Sequence, residues 1–357
     1  MNVWKNLNKI ELEISGDCNA ACPLCPRTEA NVPLRGNGNH TLQDIINAFE
    51  PIQERFEDDN FEVALYGLSG DPILNPECYE IIKWFTDRNA NVIMSTNGGY
   101  NTPEWWAKLA QLDNLVVKWA IDGAEETNHI YRINVVWNTV LRNLKSFTNA
   151  GGKAVWVFIP FDHNMNEFNT AKNLAIELGC GFESKTSGRN ADHEEQDKAV
   201  QVNKHKKKEE PKERKYKQSK TIPHRDLSKL NKIRNELDAM ENQESYNDNL
   251  IQDAINTIEC KALNEPELYV SGDFKLYPCC FLHDSERFKN TPWGELESGW
   301  NDLRKHDLQT IVNQKPFVEL KERWNPNNAN FVKRCLHQCA DKNSHRTIIK
   351  KIVGKKL

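Results

Sequence analysis

Short runs rich in Val, Ile, Leu and Trp at residues 9–15, 61–67, 91–96, 114–121 and 153–160 alternate with stretches at 42–56, 76–89, 103–112, 138–149 and 167–178 whose apolar residues recur at helical spacing. No other feature constrains the fold as much. Each strand-like run is separated from the next by a connection long enough to hold a helix, which parallel neighbours require and hairpins do not. Right-handed βαβ crossovers then set the strands side by side in one sheet. Asn75-Pro76 and Thr102-Pro103 read as helix starts, because a proline in the first turn has no intrahelical bond to lose. A sixth short strand is expected at 181–185. The reading is an α/β chain whose residues 1–183 form a partial (β/α)6 barrel. Its chemistry belongs on the loops at the carboxyl ends of the strands.

At 357 residues the chain has ample length to bury such a core and to carry an appended domain. Its formal net charge of −4 conceals an asymmetry: residues 204–220 hold nine Lys and Arg against three Glu, a net of +6, which leaves −10 on the remainder. From 184 to 220 the only apolar residues are Ala191, Ala199, Val200, Val202 and Tyr216, too few to offset the entropy of ordering the segment. Residues 184–224 are therefore read as a charged, disordered insert. Residues 225–258 read as a helical connector, since Leu227, Leu230, Ile233 and Leu237 recur at steps of three and four. Residues 342–357 form a basic tail. The longest apolar stretch, 154–161, falls far short of the ~20 residues a membrane-spanning helix needs, and the amino terminus lacks the apolar region of a secretory signal. A cytoplasmic location is expected. Disulfides do not persist there, so ten Cys point to a metal, a redox cluster or catalysis.

Directly after the first strand the chain reads Gly16-Asp17-Cys18-Asn19-Ala20-Ala21-Cys22-Pro23-Leu24-Cys25-Pro26-Arg27. Three thiols spaced C-x3-C-x2-C on one short loop can converge on one soft metal centre, and no fourth Cys lies nearby. Structural zinc is normally closed by four protein ligands, so zinc here needs a distant residue such as His40. A 4Fe–4S cluster on three thiolates instead keeps one iron open for an exogenous ligand. The loop resembles that of the radical S-adenosylmethionine (radical SAM) superfamily, in which this spacing holds a cluster whose open iron binds the amino and carboxylate groups of S-adenosylmethionine. The resemblance implies Cys18, Cys22 and Cys25 as cluster ligands. Leu24 stands where the family usually has an aromatic residue.

Later loops extend the resemblance. Ser69-Gly70-Asp71-Pro72 is similar to the family's Gly-Gly-Glu-Pro element, with Ser for the first Gly and Asp for Glu; it implies backbone carbonyls and a carboxylate offered to the amino group of the methionine moiety. Ser95-Thr96-Asn97-Gly98 resembles Thr-Asn-Gly, whose polar side chains contact the cofactor. Ala120-Ile121-Asp122-Gly123, then Tyr131-Arg132, resembles Ser-x-Asp-Gly with a downstream Arg. Ala120 replaces the Ser, and the Arg132 guanidinium can pair with the methionine carboxylate. In the fifth strand Phe158 and Ile159 are candidates for adenine contact, or plain core.

The carboxyl-terminal half has its own thiols: Cys260, then Tyr277-Pro278-Cys279-Cys280, Trp293-Gly294, Trp300-Asn301, and Cys335-x3-Cys339. This resembles the SPASM/twitch extension that holds an auxiliary iron–sulfur cluster, here over residues 259–341, and it completes an expected α/β fold of a partial (β/α)6 TIM-like barrel with a C-terminal auxiliary-cluster (SPASM/twitch-like) domain. Cys260, Cys279, Cys335 and Cys339 supply four thiolates for a second 4Fe–4S cluster; Cys280 rivals Cys279, and a four-cysteine zinc site is the alternative. Cys78 and Cys180 read as buried apolar residues. The resemblance implies an enzyme that cleaves S-adenosylmethionine reductively, served by a one-electron reductant such as flavodoxin or ferredoxin, and that abstracts a hydrogen atom from its substrate. A peptide substrate, as for a maturase, is one expectation. Only eight residues precede the first strand, so a separate protein is expected to supply any leader recognition. A nucleotide, tRNA or small metabolite is the alternative, with the basic insert and tail in its favour. The non-enzyme alternative is a two-site zinc-binding interaction protein.

Overall fold

The computed structural model describes residues 6–29, 31–58, 61–67, 70–185, 255–284 and 299–324, with Cys335 and Cys339. The charged insert from residue 186, the expected connector up to 254 and the basic tail lie outside the described residues. The chain divides into two compact units, Met1–His205 with Cys260–Leu320, and Lys206–Glu259 with Lys321–Leu357. In the second, Cys335 is buried and the Glu259 N–H donates to the Cys339 carbonyl at 3.0 Å. The sheet and the site built on it belong to the first. Among the described residues no helix is long and apolar enough to cross a membrane.

Eight strands form one sheet: β1 (Lys9–Leu12), β2 (Glu62–Leu65), β3 (Asn91–Thr96), β4 (Leu115–Ala120), β5 (Lys153–Phe158), β6 (Gly181–Ser184), β7 (Glu267–Val270) and β8 (Leu276–Tyr277). The order is β6-β5-β4-β3-β2-β1-β7-β8, with every pairing parallel except β7 with β8. Buried and half-buried residues alternate along β3 and β4, so Val92, Met94 and Thr96 share one face, as do Leu115, Val117 and Trp119. The six expected parallel strands are all present. The hairpin β7–β8 then carries the sheet on across the free edge of β1, with Lys9 opposite Glu267 and Leu12 opposite Val270.

Five helices cover the crossovers: α1 (Leu42–Phe49), α2 (Cys78–Thr86), α3 (Pro103–Leu109), α4 (Trp137–Asn149) and α5 (Phe168–Glu177). Thr41 and Asp44 form a reciprocal capping box that starts α1. The helical spacing over 42–56 persists, but the α-helix gives way at Glu50 to a 3-10 helix, Glu50–Glu57, because Pro51 has no N–H for the next i to i−4 bond. Thr102 caps α3 as expected, accepting from the Trp105 N–H. Asn75-Pro76 behaves otherwise. Its helix begins only at Cys78, and the Asn75 amide donates to the Ile14 and His40 carbonyls at 2.7 and 2.8 Å, which braces the loop after β1. Aromatic rings fill the core on this flank: Phe56 lies 4.8 Å from Phe61, 5.9 Å from Trp84 and 5.6 Å from Phe85, centroid to centroid.

The hairpin is fastened to β1 by polar contacts as well as by the ladder. The buried Glu13 carboxylate accepts from the Tyr269 hydroxyl at 2.5 Å and from the Gly272 N–H at 3.1 Å. His40 Nε2 lies 3.1 Å from the Ser271 carbonyl and so carries the ring proton, which leaves Nδ1 to accept from Arg304 at 3.2 Å. Burial holds the His40 pKa down to about 4, helped by Arg304 and opposed by the Ser271 carbonyl, Asp44 and Asp273.

Two outcomes are expected. Phe56→Ala should cost about 3–5 kcal/mol of unfolding free energy in urea titration. His40 is neutral when folded and titrates at its ordinary value when unfolded, so its stabilising term is complete above pH 6.5 and is lost as pH falls toward 4. The loss amounts to roughly 3 kcal/mol, and His40→Gln, uncharged throughout, should remove that part of the pH dependence of the urea midpoint.

Candidate functional site

The loop after β1 is pinned at many points before any ligand is considered. Gly16 donates to the Gly38 carbonyl at 2.8 Å and accepts from Arg27 Nη1 at 2.6 Å, while the Cys18 N–H donates to Leu34 at 2.9 Å. Pro26–Glu29 forms a helical turn just past the third thiol. Cys22 is buried, and Cys18 and Cys25 are half-buried. Burial pushes the Cys22 thiol up to about 11 although the nearby Arg132 charge pulls it down; burial, then Asp71, also raises Cys18. As free thiols both therefore keep their protons at neutral pH. Only a bound cation that takes thiolate would release them.

Among the described residues no three Cys, His, Asp or Glu side chains converge on a position for a single ion. A cubane takes one thiolate on each of three irons, and Cys18, Cys22 and Cys25 offer three from one loop. His40, the distant residue that zinc would need, has both ring nitrogens engaged, with Ser271 and Arg304. The donor set fits an iron–sulfur cluster better than zinc.

The loop after β2 meets this one backbone to backbone. A Cβ on Gly70 would stand 1.8 Å from the Ser15 carbonyl oxygen and 2.9 Å from that of Asp17, so only glycine permits the approach. Asp71 follows, donating its N–H to the Asp17 carbonyl at 2.7 Å. Its carboxylate, read from sequence as facing a ligand, is turned inward. It accepts from the Asn97 N–H at 2.8 Å, from Asn97 Nδ2 at 2.7 Å and from the Ile73 N–H at 3.3 Å. Burial raises its pKa against these donors. The shorter Asp thus joins loops. Pro72 opens the 3-10 turn Pro72–Leu74, and Ser69 lies outside the described residues.

Asn97, at the end of β3, completes the bracket. Its Nδ2 also donates to Asn19 Oδ1 at 2.8 Å, inside the cysteine loop, and its Oδ1 accepts from the Gly99 N–H at 2.8 Å. Thr96 Oγ1 accepts from the Gly98 N–H at 3.0 Å, and Gly98 sits at φ +68, where a Cβ would meet the Trp119 ring at 2.4 Å. Ser95 is half-buried within β3.

At the end of β4, Asp122 accepts from Arg132 Nε at 2.7 Å and from the Ile159 N–H at 2.8 Å. Its N–H donates to Asn128 Oδ1, and its carbonyl accepts from Asn164 Nδ2, both at 3.0 Å. Glu167 ties the same turn by accepting from the Ala124 N–H at 2.8 Å and from the Thr127 hydroxyl. Burial opposes the Arg132 charge, but Asp122 and then Cys22 more than restore it, and Nη1 lies 3.8 Å from Cys22 Sγ. Burial keeps the Asp122 pKa raised even so. Phe158 is fully buried against Phe168 and Phe182, so it belongs to the core, and Ile159 just past that strand end is half-buried.

The structure therefore gathers Cys18, Cys22, Gly70, Asp71, Thr96, Asn97, Asp122 and Arg132 into one linked set. Sequence reasoning missed Asn19, Arg27, Asn128, Asn164 and Glu167. Asn19 pairs with Asn97 across 78 positions and Asn164 with Asp122 across 42, separations at which a short polar residue leaves no local signal. Of the carboxyl-terminal thiols, Cys260 is buried beside the helical turn Lys261–Asn264, and Cys279, half-buried, precedes the turn Cys280–Asp284.

Residues 12–174 match the sequence model of the Radical SAM superfamily. Mycofactocin maturase MftC of Mycolicibacterium smegmatis is 29% identical over 185 residues, which are 50% of this chain and 45% of that protein. AdoMet-dependent heme synthase of Methanosarcina barkeri is 27% identical over 125 residues, 34% of this chain and 32% of that protein. The chain thus spans less than half the length of these curated relatives. Among solved structures, Streptococcus suis SuiB bound to S-adenosylmethionine has a TM-score of 0.51 at 11% identity, covering 88% of this chain and 67% of that one. SuiB bound to precursor peptide SuiA gives 0.51 at 12%, covering 87% and 65%. These last are likenesses of fold.

Gly70→Ala should force the second loop off the Ser15 carbonyl. The expected cost is about 1–3 kcal/mol in urea titration, with less iron retained after anaerobic reconstitution than in the unaltered protein.

Proposed function

We propose that this chain is a radical SAM enzyme that modifies a peptide, with Cys18, Cys22 and Cys25 holding the catalytic 4Fe–4S cluster; the match of residues 12–174 to the Radical SAM superfamily model and the maturase relatives support that reading. The observation that carries the reading is the set of three thiols on the loop after β1, bracketed by Gly70, Asp71 and Asn97 and faced by Arg132. When bound, the cluster and S-adenosylmethionine together supply a 5′-deoxyadenosyl radical that takes a hydrogen atom from the substrate.

The chain's own residues do the positioning. Cys18, Cys22 and Cys25 would hold the cluster as thiolates, each giving up its proton. Asp122 fixes Arg132 through Nε, so the guanidinium keeps Nη2 for the methionine carboxylate. Asp71, with its carboxylate turned to Asn97, leaves the amino group to backbone carbonyls of the second loop. Ile159 rather than Phe158 offers apolar contact to the adenine. The peptide substrate is supported by the maturase relatives and by the fold likeness to SuiB, whose structure holds a precursor peptide. A one-electron reductant of the flavodoxin or ferredoxin class completes the system. The spacing of Cys260, Cys279, Cys335 and Cys339 along the chain supports a second 4Fe–4S cluster in a SPASM/twitch-like region at 259–341.

The deciding experiment is anaerobic reconstitution followed by reduction with S-adenosylmethionine present. 5′-Deoxyadenosine should form, and the triple replacement of Cys18, Cys22 and Cys25 by Ala should abolish it; persistence in that variant refutes the assignment. Deuterium from a pool of deuterated peptides should appear in the deoxyadenosine, whereas transfer only from deuterated nucleosides would replace the peptide reading. Arg132→Lys keeps a charge beside Asp122 but loses the planar fork. It should weaken S-adenosylmethionine binding by roughly ten- to a hundredfold in equilibrium titration, with iron content unchanged.

A further inference from the structure

Arg27 sits among tryptophans and phenylalanines in the set of largest fully buried side chains, at 1% exposure. No positioning step described above uses it. It lies two residues beyond Cys25, and its Nη1 donates to the Gly16 carbonyl at 2.6 Å, so the guanidinium reaches back under the loop to the residue that precedes Asp17 and Cys18. Burial lowers its pKa, and charge on the Cys18 and Cys25 sulfurs once those thiols ionise, then Asp17 and Glu13, opposes that fall without cancelling it. The other cation of the site is differently placed, because Arg132 has its charge matched by Asp122 at 2.7 Å.

Resting on the cluster assignment made above, we propose that Arg27 sets the reduction potential of the cluster: its buried guanidinium, held at the Gly16 carbonyl two residues before Cys18 on a side chain two residues after Cys25, stabilises the reduced state more than the oxidised one. Accepting one electron from an external reductant adds one negative charge to a site sheltered from water. A fixed cation at short range lowers the energy of that added charge far more there than at a solvated surface. The sign follows directly. With the guanidinium in place the potential is raised and the electron is easier to deliver; without it the potential falls. Arg27 touches neither substrate nor cofactor in this account, and acts as a positioning residue for charge.

The test is a reductive titration followed by electron paramagnetic resonance on full-length, anaerobically reconstituted protein, reading the signal that changes when S-adenosylmethionine is added. Arg27→Lys keeps the charge, while Arg27→Gln and Arg27→Met remove it. The neutral variants should titrate at more negative potential than the unaltered protein, with Arg27→Lys at or near the unaltered value. Neutral variants that titrate with the unaltered protein overturn the proposal. So does a shift in Arg27→Lys as large as in the neutral variants, and so does failure of both neutral variants to hold the responsive cluster, which makes the side chain a strut for the Gly16 carbonyl. Absence of any responsive cluster in the unaltered protein refutes the cluster assignment instead, a separate result.

Discussion

The Asp71 carboxylate is the contact on which the arrangement of the site depends. Removed from water, it must be satisfied by protein donors, and it finds them in the backbone and side chain of Asn97 and in the Ile73 N–H. Its own N–H is tied to Asp17, and Asn97 passes the link on to Asn19. The loops after β1, β2 and β3 therefore cannot move independently: shifting any one leaves a buried polar group without its partner. Three thiols on a loop of irregular backbone would otherwise sample many separations. The bracket reduces them to few, so that a ligand binding all three would have little ordering left to impose.

Much of this was legible in the chain. The alternation of β-rich and helical runs pointed to six parallel strands in one sheet, because a short strand with residues on alternating faces and a crossover helix have distinct periodicities. The grouping of the three thiols on one loop was equally visible, since three Cys within eight positions need no long-range information. Asn75-Pro76 read less well. Its proline looks like a first helical turn, but the Asn amide is drawn to the Ile14 and His40 carbonyls, a tertiary demand that overrides the local preference. Pro51 was visible too, yet hydrophobic spacing cannot tell an α-helix from the 3-10 turn that the missing N–H imposes.

What stayed hidden depends on partners far apart in sequence. Nothing around residue 267 announces that its strand will lie beside β1 rather than in a separate body, and nothing in Asp71 announces that a side chain shortened by one methylene will reach Asn97 and not a ligand. Arg27 was written beside the thiols but read as the end of a motif. Its significance lies in burial, which composition and spacing do not report.

The pairing of β7 with β1 carries a consequence for the order of events in synthesis. Residues 9–12 are made first, and the neighbour that closes their second edge, residues 267–270, is made 258 positions later. Until then Glu13 lacks Tyr269, His40 lacks Ser271, and the base of the thiol loop is propped on one side only. Contacts so distant along the chain form slowly and late. On the proposed reading, a chain that has not yet reached residues 267–270 offers its three thiols on a loop that still lacks half of its support, so iron would bind best once that strand is in place.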